Sequence, residues 1–206
     1  MGYYDRCQGS FFHPGGYELT KYALGRCELP KGAKLCDIGC GTGEHLALLQ
    51  EEFGLAPIGV EPSAAMGGKA ENIVEARGEA TPFPDQSFDV VLCECTLSLC
   101  QQPQKVLGEI YRILRPKGWL IFSDVCGAKT QLVDSGPLKW IYAVEQMKAM
   151  LEEQGFSIRL EEDRTRDLIT MAAQMIMDGR GQEICETMGA LKGRDCGYYL
   201  IIGQKG

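Results

Sequence analysis

Three glycines fall within Asp37-Ile38-Gly39-Cys40-Gly41-Thr42-Gly43, between an apolar run and a helical pattern that begins at Glu44. Glycine there lets the backbone turn sharply and lets a ligand approach main-chain atoms without meeting a Cβ. The spacing is G-x-G-x-G. Where a dinucleotide-binding loop has its third glycine this chain has Glu44, and a carboxylate at a helix N-terminus repels the pyrophosphate that the helix dipole attracts. The loop therefore argues against NAD, FAD and ATP, and no Gly-Lys-Ser/Thr follows it. Glu61 ends the next apolar run, 18 residues after Gly43. An acid so placed can accept both hydroxyls of a ribose at the carboxyl edge of a parallel sheet.

Two more groups are candidates for catalysis. Glu94 follows the apolar run 88–93, at the end of a strand where open α/β sheets put their sites. It reads either as a group touching substrate or as a cap for a helix near Thr96. His13 lies in the glycine-rich stretch 11–16, which could fold over a site. His45, just past the glycine loop, reads as a surface or packing residue. Tyr3, Tyr4 and Tyr17 are lid candidates or merely dock the N-terminal helix. Of ten cysteines, Cys36 reads as core, while Cys93, Cys95, Cys100 and Cys126 surround the expected site. Strand alternation puts Cys93 and Cys95 on one face, and Cys126 on the neighbouring strand could approach Cys95. Soft thiolates there could take a metalloid such as arsenite; buried thiols acting as small hydrophobes are the plainer reading. Their spacing fits no zinc pattern, and no metal site is expected.

These residues need a scaffold. Apolar runs at 34–38, 57–61, 73–76, 88–93 and 119–123 alternate with helical patterns, which predicts β-α-β units around a parallel sheet. Runs at 156–160 and 198–202 close the chain. Helices are predicted near 17–27 and after Pro103, where Val106, Leu107, Ile110, Ile113 and Leu114 form a stripe that Pro116 stops. A third surrounds Val144, Met147 and Leu151, with Gly155 as its left-handed cap. A fourth spans 168–177, with Met171, Met175 and Met177 as core filler. Residues 126–141 predict an irregular loop of functional size.

The chain has 206 residues, 45% hydrophobic and 24% charged, which suits one domain and excludes disordered, collagenous and coiled-coil classes. Lys and Arg number 21 against 28 Asp and Glu, a formal net charge of −7. An acidic protein gains nothing from counterion release, so no nucleic-acid partner is expected, whereas a cationic ligand suits the field. Residues 1–6 are polar with no apolar region after them, and no run approaches the roughly 20 residues that span a bilayer. A cytoplasmic protein with reduced thiols and no membrane partner is expected. Its oligomeric state is not legible.

Four blocks stand in a telling order: 37–43, Gly59-Val60-Glu61-Pro62-Ser63, Thr81 to Val91, and Glu109 to Gly118. With them the chain resembles the class I S-adenosylmethionine-dependent methyltransferases, in the broad group of quinone-pathway and other small-molecule enzymes. The resemblance implies an α/β Rossmann-like fold. Its seven-stranded sheet would be mostly parallel, with helices on both faces and an antiparallel C-terminal strand. It implies one domain over 1–206: an N-terminal helix and lid (1–33), a cofactor core (34–124) and a part carrying the acceptor-side loop (125–206).

By position, the resemblance implies that Gly39, Gly41 and Gly43 hold the methionine moiety of S-adenosyl-L-methionine, with Asp37 on its amino group. Cys40 occupies a loop position where such enzymes often have cysteine. Glu61 takes the ribose hydroxyls, and Pro62 and Ser63 line the adenine pocket. Glu79, beside Ala80, stands where the family usually has an aspartate facing the adenine amine. Glu94, Cys95 and Thr96 border the sulfonium and the acceptor. The expected function is methyl transfer by in-line displacement to an O, N or C atom of a small molecule, leaving S-adenosyl-L-homocysteine. Thiol-assisted methylation of a metalloid and a non-catalytic cofactor-binding partner subunit are the alternatives.

Overall fold

The computed structural model describes residues 13–63, 72–133, 138–180, 189 and 191–206. Tyr3, Tyr4, Cys7, Gly136, Pro137 and Cys185 lie outside them. Helix α1 (Gly16–Leu24) precedes β1 (Lys34–Ile38), α2 (Glu44–Phe53), β2 (Ala56–Glu61), β3 (Ile73–Glu75) and β4 (Phe88–Glu94). A 3-10 turn (Leu97–Leu99), α3 (Pro103–Ile113) and β5 (Leu114–Gly127) follow. The chain continues through β6 (Gln131–Leu132), β7 (Trp140–Ala143), α4 (Val144–Glu153), β8 (Phe156–Asp163), α5 (Thr165–Met177) and β9 (Cys196–Lys205).

The expected sheet is present as β3-β2-β1-β4-β5-β9-β8, with β9 antiparallel to both neighbours. Alternation along the buried strands divides their side chains between two layers. Leu35, Val90, Leu92 and Ile121 pack with α1, α2 and Leu168 of α5. Cys36, Val91, Cys93 and Phe122 pack with α3 and α4. Pro103 opens α3, and Gly155 has the predicted left-handed backbone after α4, at φ 98°. The turn expected at Pro116-Lys117-Gly118 forms as an irregularity within β5, where Lys117 has φ 66° and the pairing jumps from Phe88↔Leu114 to Val90↔Trp119.

Two expectations are corrected. The loop after β5 contains a short antiparallel hairpin, β6–β7, and β7 runs parallel to β5 at Cys126↔Tyr142 and Gly127↔Ala143. Since β9 occupies one edge of β5 through Gly127, β7 must continue on the edge that β4 leaves at Glu94. Met177 is not core filler: it is 80% exposed, and of α5 only Leu168 is buried, because the helix meets the sheet with a single narrow face.

Candidate active site

The carboxyl ends of β1, β2, β4 and β5 open into a cavity of about 600 Å³, within the range of small-molecule sites. The glycine loop forms its floor. Gly39 has φ 83°, and a Cβ there would stand 2.2 Å from Thr96 Oγ1, so this glycine lets β1 meet the segment after β4. Gly41, at φ 55°, has nothing within 4 Å of where its Cβ would be and borders the cavity with bare backbone. Gly43 caps α2 and packs under Ile73, away from the cavity wall.

Asp37, Cys40, Glu61, Pro62, Glu79, Glu94, Cys95 and His13 all border this cavity. Ser63 stands behind Glu61, and Ala80 pairs with Arg77 at the rim. Among the described lining residues the carboxylates Asp37, Glu61, Glu79, Glu94 and Asp124 outnumber the cations Arg77 and Lys139, so the field suits a positively charged ligand. Glu61 is held by two backbone amides, Gly41 N on Oε2 at 3.2 Å and Ser63 N on Oε1 at 3.1 Å. Each oxygen keeps a lone pair for an incoming hydroxyl. Glu79 accepts from Arg77 Nη2 at 3.2 Å.

His45 is not a surface residue. Its Nε2 lies 2.6 Å from Asp37 Oδ2 in the cavity wall. Burial opposes its charge, but the hydrogen bond and the charge of Asp37, with Glu94 nearby, outweigh it and raise the imidazole above its ordinary value.

Glu94 does not cap the turn after Thr96. Its Oε2 accepts from Thr20 Oγ1 at 2.9 Å and its Oε1 from Ser123 Oγ at 3.2 Å. His13 Nε2 lies 3.8 Å from Glu94 Oε2. Asp124 serves the turn instead: Ser98 N donates to its Oδ2 at 2.9 Å and Val125 N to its Oδ1 at 2.8 Å. Burial pushes the Asp124 carboxyl up to about 6 against these amides. Tyr17 is packed in the core, docking α1. Thr20, Ser123, Asp124, the role of His45 and Tyr198, whose hydroxyl donates to Ser123 Oγ at 2.8 Å, were missed from the sequence. The one signal was the polar pair Ser123-Asp124 inside an apolar strand.

The cysteines do not converge. Cys95 has φ 49°, which breaks the extended alternation and turns its side chain into the opposite layer from Cys93. Cys126 is sealed with Cys93, so it does not approach Cys95. Cys100 borders the cavity with its Sγ donating to Thr96 O at 3.2 Å, and burial pushes its thiol up to about 11. Among the described residues no group of three or more His, Cys, Asp or Glu could hold a metal ion.

The sheet order and the site at its carboxyl edge define a class I methyltransferase fold. Residues 36–122 match the family described as "Methyltransferase domain". The chain is 29% identical over 179 residues to phosphoethanolamine N-methyltransferase 1 of Arabidopsis thaliana, covering 79% of this chain and 36% of that protein. It is 32% identical over 146 residues to the arsenite methyltransferase of Halobacterium salinarum, covering 61% and 37%. The chain thus spans little more than a third of the length of these relatives. Among solved structures, Haemonchus contortus phosphoethanolamine N-methyltransferase 2, in complex with phosphomonomethylethanolamine and S-adenosylhomocysteine, superimposes with a TM-score of 0.76. That likeness, at 20% identity, covers 98% of this chain and 56% of the other and is one of fold. Residues 36–122 thus carry a methyltransferase domain, set in a chain with the class I methyltransferase fold.

Proposed function

We propose that the chain is a methyltransferase that uses S-adenosyl-L-methionine to methylate a small-molecule acceptor. The observation that carries this reading is the convergence on one acidic cavity of the bare Gly41 backbone, the fixed carboxylate of Glu61, and Glu94 at the end of β4. These residues fit the cofactor: an open strip of main chain, a carboxylate with free lone pairs for ribose, and negative charge for a sulfonium and an ammonium. When bound, S-adenosylmethionine supplies an electrophilic methyl group. In this reading Gly39, Cys40 and Gly41 cradle its amino-acid end, Asp37 takes the ammonium, and Gly43 holds the loop on α2. Pro62, Ser63, Glu79 and Ala80 flank the adenine, and Cys95 borders the sulfonium. Orientation and exclusion of water can supply up to roughly 7–11 kcal/mol of the barrier, so the protein's main task is alignment.

The chain then works as one domain, with residues 34–124 carrying the cofactor and 125–206 contributing to the acceptor end. No helix among the described residues is long and apolar enough to cross a membrane. The chain's setting is read as the cytoplasm. Calorimetry with S-adenosylmethionine, S-adenosylhomocysteine and NADH tests the cofactor. The expected result is binding of the first two; tight binding of NADH alone would refute it.

A further inference from the structure

Hydroxyls from two elements converge on the Glu94 carboxylate, and counting protons fixes the direction of every bond behind them. Thr20 Oγ1 and Ser123 Oγ lie 2.9 and 3.2 Å from its two oxygens. A carboxylate only accepts, so both hydroxyl protons point at Glu94. With its single proton committed, Ser123 can only accept from the Tyr198 hydroxyl, 2.8 Å away. Tyr198, its own proton committed to Ser123, can only accept from Cys95, whose sulfur lies 3.4 Å off. The chain therefore runs Cys95 S–H, Tyr198 O–H, Ser123 O–H, Glu94. Ser123 and Tyr198 are wholly buried, and burial raises the Cys95 thiol and the Tyr198 phenol well above their ordinary values, so both keep the proton they donate.

Three consequences bear on the acceptor. Aligned donors polarise one another and hold a side chain in one orientation, which is what a group poised at a reacting atom requires. Glu94 borders the cavity and keeps a lone pair on each oxygen to face it. Cys95, spent as the first donor, is not a thiolate, and Cys93 and Cys126 are sealed in the opposite layer, so Cys95 finds no partner in either of these two for holding a metalloid.

We propose that Glu94 is the proton acceptor for a protic nucleophile, an amine or a hydroxyl, and that Ser123, Tyr198 and Cys95 are its positioning residues. The inference rests on the methyltransferase reading above. In the step it describes, the acceptor's lone pair forms the bond to the methyl carbon while the carbon–sulfur bond breaks and its electron pair goes to sulfur. The N–H or O–H proton passes to Glu94. His13 Nε2 stands 3.8 Å from Oε2 and 3.5 Å from Thr20 Oγ1. With the Thr20 proton committed to Glu94, this nitrogen can only donate to Thr20, so His13 positions the carboxylate and does not take its proton.

The test is a coupled assay of S-adenosylhomocysteine formation over primary amines, phenols, carbon acids and arsenite with glutathione. Glu94→Gln, Ser123→Ala, Ser123→Thr and Tyr198→Phe are compared with the parent, and each is checked for S-adenosylhomocysteine binding by calorimetry. Turnover of an amine or phenol is expected. Glu94→Gln then lowers kcat about 100-fold. Ser123→Ala and Tyr198→Phe lower it about tenfold while KM for the cofactor stays within roughly twofold, and Ser123→Thr restores the rate. A parent that binds S-adenosylhomocysteine but turns over only arsenite or a carbon acid, or nothing in the panel, overturns this proposal alone. So does full kcat in a cofactor-binding Glu94→Gln variant. A parent that does not bind S-adenosylhomocysteine overturns the methyltransferase reading, and this proposal with it.

Discussion

His45 Nε2 stands 2.6 Å from Asp37 Oδ2, joining the first turn of α2 to the end of β1 inside the cavity wall. Removing the imidazole leaves a buried carboxylate without its counterion, a loss on the order of 3 kcal/mol. The folded value of His45 is raised above 6.5, so the pair's stabilisation is full below that pH and is lost as pH rises through the raised value. His45→Gln should therefore depress Tm more at pH 6 than at pH 9. A deficit of equal size at both would show that the contact is not an ion pair.

Glu61 joins Gly41 N and Ser63 N through one carboxylate. Glu61→Ala should weaken S-adenosylhomocysteine binding by about 1–3 kcal/mol, the range for a charged hydrogen-bonding group, in isothermal titration. Unchanged affinity would place the ribose elsewhere.

Gly39 combines φ 83° with a Cβ position 2.2 Å from Thr96 Oγ1. Gly39→Ala should cost about 1–3 kcal/mol in urea unfolding from backbone strain, with the side-chain clash adding to it. Adding Thr96→Ala removes the two nearest atoms and should restore part of the loss. No restoration would assign the whole cost to the backbone.

Asp124 accepts a backbone amide on each oxygen, so Asp124→Asn sets an amide donor against either Ser98 N or Val125 N. A loss of about 1–3 kcal/mol is expected. The folded carboxyl titrates at about 6 against an ordinary 3.8, so its protonated form stabilises the fold at low pH and that contribution fades as pH rises through about 6. Denaturation should therefore show a larger gap between parent and variant at pH 4 than at pH 8. The reverse order would contradict the buried acid.

The parts of the site at strand ends and in the first β-α turn were legible from the sequence. The glycine loop, Glu61 and the end of β4 are set by local backbone demands and by strand ends that apolar runs mark. Partnerships across the sheet were not. Thr20 reaches Glu94 from 74 residues away, and Tyr198 reaches Ser123 from 75. His45 is eight residues from Asp37, yet only closure of the loop between strand and helix makes them neighbours. The expected meeting of Cys95 with Cys126 failed for a local reason that composition does not announce, a single left-handed residue after β4.

That left-handed residue also ends β4, and β7 takes over the strip of β5 that it vacates. The sheet edge is thus shared end to end by two strands from distant parts of the chain. One descends from the glycine-loop half. The other belongs to a hairpin whose approach, Leu138 and Lys139, lines the cavity and meets the turn after β4 through Lys139 N on Ser98 O at 2.7 Å. The two halves of the pocket are therefore separable modules: exchanging the hairpin would re-shape one end and leave Gly41, Glu61 and their amides in register.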